Sequence, residues 1–142
     1  MLTSETGELR FIEELKRRGY RDIIRAEGYF PDWDIQTNLG TYEIKDDVLA
    51  SKTGRIFVEY AYRDKPSGLA ATKADYFVVL VGDSAHVTTV HNWRDFLRSS
   101  WPYLQKGVGG DNNWSKGVFV SPELLTASRV SGLETWKLLQ TK

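Results

Sequence analysis

Cysteine is absent from the 142 residues, which excludes disulfides, thiolate zinc sites and a thiol nucleophile, and fits a reducing compartment. No stretch approaches the roughly 18 consecutive apolar residues of a membrane span. The start, Met1 to Arg10, lacks the apolar core of a signal peptide. The expectation is a protein that is soluble, unexported, cytoplasmic and without a membrane partner. An excess of charge of one sign is missing too. The 19 basic residues balance 19 acidic ones, so whole-chain electrostatics do not advertise a nucleic-acid binder. Only two histidines occur. His86 and His91 have opposite strand parity in an extended run, which argues against a shared metal site, and the sequence offers no serine-histidine-acid order worth defending. Gly107-Val108-Gly109-Gly110 lacks the lysine-serine of a phosphate loop.

What is there suits one globular domain spanning residues 1–142. Hydrophobic residues make up 41% and aromatic ones 13%, enough for a single core. The neutral total hides a gradient, because Arg10, Lys16, Arg17, Arg18, Arg21 and Arg25 precede Asp32, Asp34, Glu43, Asp46 and Asp47.

Helical spacing of Leu9, Ile12 and Leu15, with Phe11, predicts a helix from Glu5 to Arg18 closed by Gly19. Tyr20 to Phe30 fits a short strand or a helical turn equally, and Pro31-Asp32 favours a turn. Trp33 to Thr37 and Thr41 to Asp46 alternate on either side of Asn38-Leu39-Gly40 and predict a hairpin. Val48 to Gly54 reads as a loop and Arg55 to Tyr62 as a third strand. Gly68 to Ala74 reads as a short helix, and the continuously apolar Tyr76 to Val81 as a strand buried on both faces. His86 to Val90 is a candidate neighbour for it. Asn92 and Asp95 suggest a capping box opening a helix that stops at Pro102. Gly107 to Asn113 reads as a loop, Gly117 to Val120 as a short strand, and Ser121-Pro122-Glu123 as a helix start. The segment around Trp136 gives no clear pattern.

The chemistry-bearing residues fall on the early strands. Glu43 and Lys45 share one face because side chains alternate along a strand, with Tyr42 and Ile44 on the other. If three strands lie side by side, Asp34, Glu43, Lys45 and Glu59 converge on one side of the sheet. Magnesium takes oxygen ligands and keeps several waters, so two carboxylates and a backbone carbonyl, that of Ile44, suffice to hold it. A lysine one alternation step away reaches the same water and stabilises developing charge. A bare Glu-x-Lys is far more often a solvent-facing pair. Only the order of Asp, turn, Glu-x-Lys, strand, Glu, small helix and buried strand gives it weight.

Pro31-Asp32-Trp33-Asp34, Thr41-Tyr42-Glu43-Ile44-Lys45 and Val58-Glu59-Tyr60 resemble the active-site strands of the PD-(D/E)xK nuclease superfamily. Ser67-Gly68-Leu69 with Thr72-Lys73-Ala74-Asp75-Tyr76 resembles a segment of its small phage-type and Holliday-junction-resolvase-like endonucleases. The resemblance covers Trp33 to Val81, with a weaker echo in Gly109-Gly110-Asp111-Asn112 and Lys116-Gly117-Val118. It implies an α/β (α+β) fold of the restriction-endonuclease-like type, a mixed central sheet flanked by helices. It also implies hydrolysis of DNA phosphodiesters with Mg2+, for which Mn2+ substitutes, in a bacterial or phage-infected cell, with a homodimer by analogy.

By the same resemblance Asp34 and Glu43 are the metal carboxylates, with the Ile44 carbonyl, and Lys45 the catalytic lysine. Asp32 is the alternative first ligand, disfavoured by its place in a turn after Pro31. Glu59 is either a further catalytic carboxylate or a partner of Arg55 or Lys45. Arg63, Lys65 and Lys73 are candidate phosphate contacts; Asp75 reads as a tether. A competing reading is a non-catalytic module of the same fold that binds nucleic acid or a protein.

Overall fold

The computed structural model describes residues 4–28, 32–46, 50–109 and 111–138. The chain runs through helix α1 (Ser4–Arg17), strands β1 (Ile24–Arg25), β2 (Ile35–Thr37) and β3 (Gly40–Asp46), and the single-turn helix α2 (Ala50–Thr53). It continues through β4 (Ile56–Tyr62), β5 (Lys65–Pro66), β6 (Tyr76–Val81), β7 (Ser84–Thr89), helix α3 (Val90–Ser100), β8 (Gln105–Gly109), β9 (Ser115–Val120) and β10 (Glu134–Lys137). The class is mixed α+β with two sheets, and among the described residues no helix is long and apolar enough to cross a membrane.

One sheet has the order β1-β2-β3-β6-β7-β10 and the other β5-β4-β9-β8. In the first, β3 and β6 pair in parallel while their other partners are antiparallel. The unbroken apolar run of β6 explains its central place. Val78 and Leu80 pack with Phe11, Ile12 and Leu15 of α1 on one side. Phe77 and Val79 pack with Trp93 and Phe96 of α3 and with Ile56, Val58, Val118 and Val120 of the second sheet on the other. A strand covered on both faces has no use for alternation.

The three early strands therefore do not lie side by side. β2 and β3 form the expected antiparallel hairpin, with Ile35 opposite Tyr42, but β4 belongs to the second sheet. The reason is apolar demand: Ile56 and Val58 join the core beneath α3, and β6 takes the place beside β3.

Several local expectations are corrected. Ala50 to Thr53 forms a helical turn where a loop was expected, residues 47–49 lying outside the described ones. α3 is capped by Thr89, whose hydroxyl accepts from the Asn92 amide at 3.1 Å, one turn earlier than the expected Asn92 cap. Gly107 to Gly109 is strand, not loop. Its glycine has a packing reason, since a Cβ on Gly107 would lie 2.3 Å from the Phe119 ring, which contacts Phe57 across the face of the sheet. Gly68 to Ala70 is a 3-10 turn and the helix goes no further. Tyr20 to Phe30 contains the short β1 among its described residues, and Trp136 lies on β10 beside β7. Leu9 is exposed, while Glu14 is fully buried beneath Arg17 and Arg18.

Candidate functional site

The face of β3 that carries Glu43 looks toward the second sheet, because Tyr42 and Ile44 occupy the α1 side. A cleft of about 760 Å3 lies there, and Asp32, Asp34, Glu43, Ile44 and Glu59 all contribute to its lining. Lys65 and Lys73 line it as well. The carboxylates singled out in the sequence thus line one cleft, though not through three adjacent strands of one sheet. Asp34 comes from the approach to β2, Glu43 from β3, and Glu59 from across the gap between the sheets.

Each carboxylate is held by its own donor. The Ile44 amide donates to Asp34 Oδ2 at 2.7 Å. The Thr72 hydroxyl donates to Glu43 Oε1 at 2.6 Å, and the Ser67 hydroxyl to Glu59 Oε2 at 2.8 Å. Thr72 Oγ1 also accepts from the Ala74 amide at 3.2 Å, which fixes the hydroxyl so that its hydrogen points to Glu43. Ser67 and Thr72 are the residues sequence reasoning missed. A short helix was expected over Gly68 to Ala74, whereas the tight turn there places the hydroxyls of Ser67 and Thr72 directly on the carboxylates.

Gly68 makes that turn possible. Its φ is +53°, and a Cβ there would lie 2.4 Å from the Glu59 carbonyl oxygen. Only glycine lets the loop press against β4 while keeping Ser67 beside Glu59. Asp75 anchors the far end, accepting from the Thr41 amide at 2.9 Å and the Thr41 hydroxyl at 3.1 Å. The role is structural, as expected, but Asp75 tethers β3 rather than a helix.

The electrostatics favour an incoming cation. Among the described residues none of Asp34, Glu43 and Glu59 has an ion-pair partner. Burial pushes the Glu43 carboxyl up, the Thr72 hydrogen bond opposes this, and the charges of Asp34 and Glu59 add to the rise. Asp34 is also raised, by burial first and then by Glu8, against the Ile44 amide and Arg25. Glu8 on α1 is thus a further acid near the site, with its carboxylate engaged by Arg25 at 2.7 Å. Two raised carboxylates, Asp34 and Glu43, in one cleft make a setting that a bound divalent ion would relieve.

Among the described residues no group of three or more histidine, aspartate or glutamate side chains is close enough to hold a metal by itself. Asp34 and Glu43, which line the same cleft, could hold one ion only with help from a backbone oxygen and water. Ile44 qualifies: its amide meets Asp34, and a strand residue's N–H and C=O leave on the same edge. Two carboxylates, a carbonyl and water suit magnesium. Asp32 is exposed at the rim, without the amide bond that fixes Asp34. Lys45 shares the face of Glu43 by alternation but is not part of the cleft lining. Arg63 lies instead over the Trp114 ring at 3.9 Å. The N-terminal basic cluster is largely spent on the protein's own acids, Arg10 on Asp83 and Arg17 and Arg18 on Glu14. No protein-family model matches the chain, and no curated protein matches it.

Proposed function

We propose that the protein is a magnesium-dependent endonuclease of the PD-(D/E)xK type that hydrolyses DNA phosphodiester bonds, on a restriction-endonuclease-like core. The observation that carries this reading is the meeting of Asp34, Glu43, Ile44 and Glu59 in one cleft, each acid fixed by a separate donor. Asp34, Glu43 and the Ile44 carbonyl hold the ion. Bound there, magnesium supplies Lewis acidity at the scissile phosphate.

The remaining work falls to the chain's own groups. Lys65 and Lys73 on the cleft wall hold the strand by its phosphates. Glu59, steadied by Ser67, accepts a hydrogen bond from the attacking water. Lys45, two residues after Glu43 on β3, adds positive charge toward the phosphoryl oxygens, where negative charge builds as water attacks phosphorus in line with the leaving oxygen and the bond to that oxygen breaks. Plasmid cleavage with magnesium tests this: Asp34→Ala and Lys45→Ala are expected to lose activity, and equal cleavage by these variants would sink the proposal.

A second reading has one observation in its favour. Lys45 lies outside the cleft lining, as expected if the fold is kept for binding and the chemistry is not. It predicts nucleic-acid binding without turnover in any metal.

A further inference from the structure

At the rim of the cleft, where β4 turns into β5, three exposed planar side chains stand together. Tyr62 lines the cleft and is 41% exposed, and Trp114, just before β9, is 38% exposed. Their rings meet edge to face at 6.2 Å. The Arg63 guanidinium lies over the indole at 3.9 Å, and the Arg63 amide donates to the Trp114 carbonyl at 3.0 Å.

The turn that presents these groups is strained. Arg63 and Asp64 have φ of +50° and +65°, the left-handed pair of a two-residue hairpin turn that usually takes Asn-Gly. Asp64 tolerates that conformation, but Arg63 does not adopt it freely, so the surroundings hold it. Lys116 Nζ donates to Asp64 at 2.8 Å, and Tyr62 pairs with Ser115 in register. Non-glycine strain kept by such contacts marks places where a side chain must sit in one position. Here the position is that of Arg63 over Trp114. Two aromatic rings and an arginine thus stand together, partly exposed, at the mouth of an acidic cleft.

We propose that Tyr62 and the Arg63–Trp114 layer form a stacking platform for an unpaired DNA strand, so that the cleft is selective for single-stranded DNA or single-stranded junctions. This rests on the nucleic-acid reading of the cleft and adds its substrate class. One base stacks on Tyr62 and its neighbour on the Arg63–Trp114 layer, while Lys65 takes the intervening phosphate and leads the strand toward Glu43. In a duplex the base faces are covered by neighbouring pairs, and the platform has nothing to engage. Aromatic and guanidinium planes stack on any base, so the selectivity is for strandedness rather than sequence.

The test is fluorescence anisotropy with a labelled oligothymidylate and a blunt duplex of equal length, titrated with the full chain in EDTA at low salt. Repulsion from the acids acts on both probes, so the ratio of affinities reads stacking. Tyr62→Leu and Trp114→Leu, which keep apolar bulk, are each expected to weaken single-strand binding about tenfold while leaving duplex binding unchanged. Trp114→Phe is expected to restore most of the loss. A wild-type preference for duplex, or equal losses on both probes in folded variants, overturns the proposal. Cleavage of the same probes with magnesium separates the two claims. Metal-dependent cleavage without single-strand preference leaves the nuclease reading standing and removes the platform, whereas single-strand preference without cleavage does the reverse.

Discussion

Replacing Thr72 with valine keeps the shape of the side chain and deletes the hydroxyl that holds Glu43. The lost bond is short, 2.6 Å, and its acceptor is a carboxylate. Hydrogen bonds to charged groups contribute about 1.5–3 kcal/mol, and the half-buried setting of Glu43 argues for the lower end, about 1.5 kcal/mol. For a domain of this size that corresponds to a fall in Tm of about 5 °C. The effect has a direction in pH. The Thr72 bond favours the ionised carboxylate, so its removal raises the Glu43 carboxyl further above the ordinary carboxylate range. The Tm gap between the two proteins is then full at neutral pH and shrinks as Glu43 takes up a proton on acidification. Thermal melts of the metal-free proteins by circular dichroism, from neutral to mildly acidic pH, measure this. A gap independent of pH would show that Thr72 acts only through the Ala74 turn, and no gap at all would refute the view that its hydroxyl holds the acid.

Other expectations follow from the same geometry. Glu43→Gln and Asp34→Asn are expected to raise the Tm of the metal-free protein by a few degrees at neutral pH. Both acids are pushed up by burial, so their ionised forms cost stability above the raised values, a cost absent in acid where they are neutral. Calorimetry with no stabilisation at neutral pH contradicts this. Gly68→Ala is expected to cost more than the roughly 1–2 kcal/mol of holding a residue with a Cβ in a left-handed backbone, because the new Cβ also meets the Glu59 carbonyl oxygen at 2.4 Å. A urea melt at wild-type midpoint would show that the loop moves away freely. Trp93→Phe removes the indole N–H that donates to the buried Phe77 carbonyl at 2.6 Å, and is expected to cost about 1–3 kcal/mol in the same assay.

How much was legible in the sequence depends on the range of the interaction. Strand alternation placed Glu43 with Lys45 and opposite Tyr42, and the unbroken apolar run placed β6 at the centre, because both follow from what one strand must do with its faces. The neighbour of β4 was not legible. Ile56 and Val58 alternate equally well for either sheet, and only the core beneath α3 decides. Glu59 reaches the site because the face of β3 looks across to the second sheet. β8 was misread because Gly107 resembles loop punctuation, whereas its missing Cβ makes room for the Phe119 ring from the next strand. The roles of Ser67 and Thr72 depend on a turn at Gly68 that spacing cannot distinguish from the start of a helix.

Asp34 and Glu43 are the centre of the proposal, two raised carboxylates beside the Ile44 backbone, without an ion-pair partner among the described residues, that would together seat one divalent ion. Titration calorimetry with manganese, on the wild-type chain and on Glu43→Gln, tests this most directly. The account predicts one saturable binding event in the wild type, weakening as pH falls because protons compete for the raised carboxyls, and its loss in the variant. Absence of any metal-dependent heat in the wild type, or an unchanged isotherm in Glu43→Gln, would contradict it.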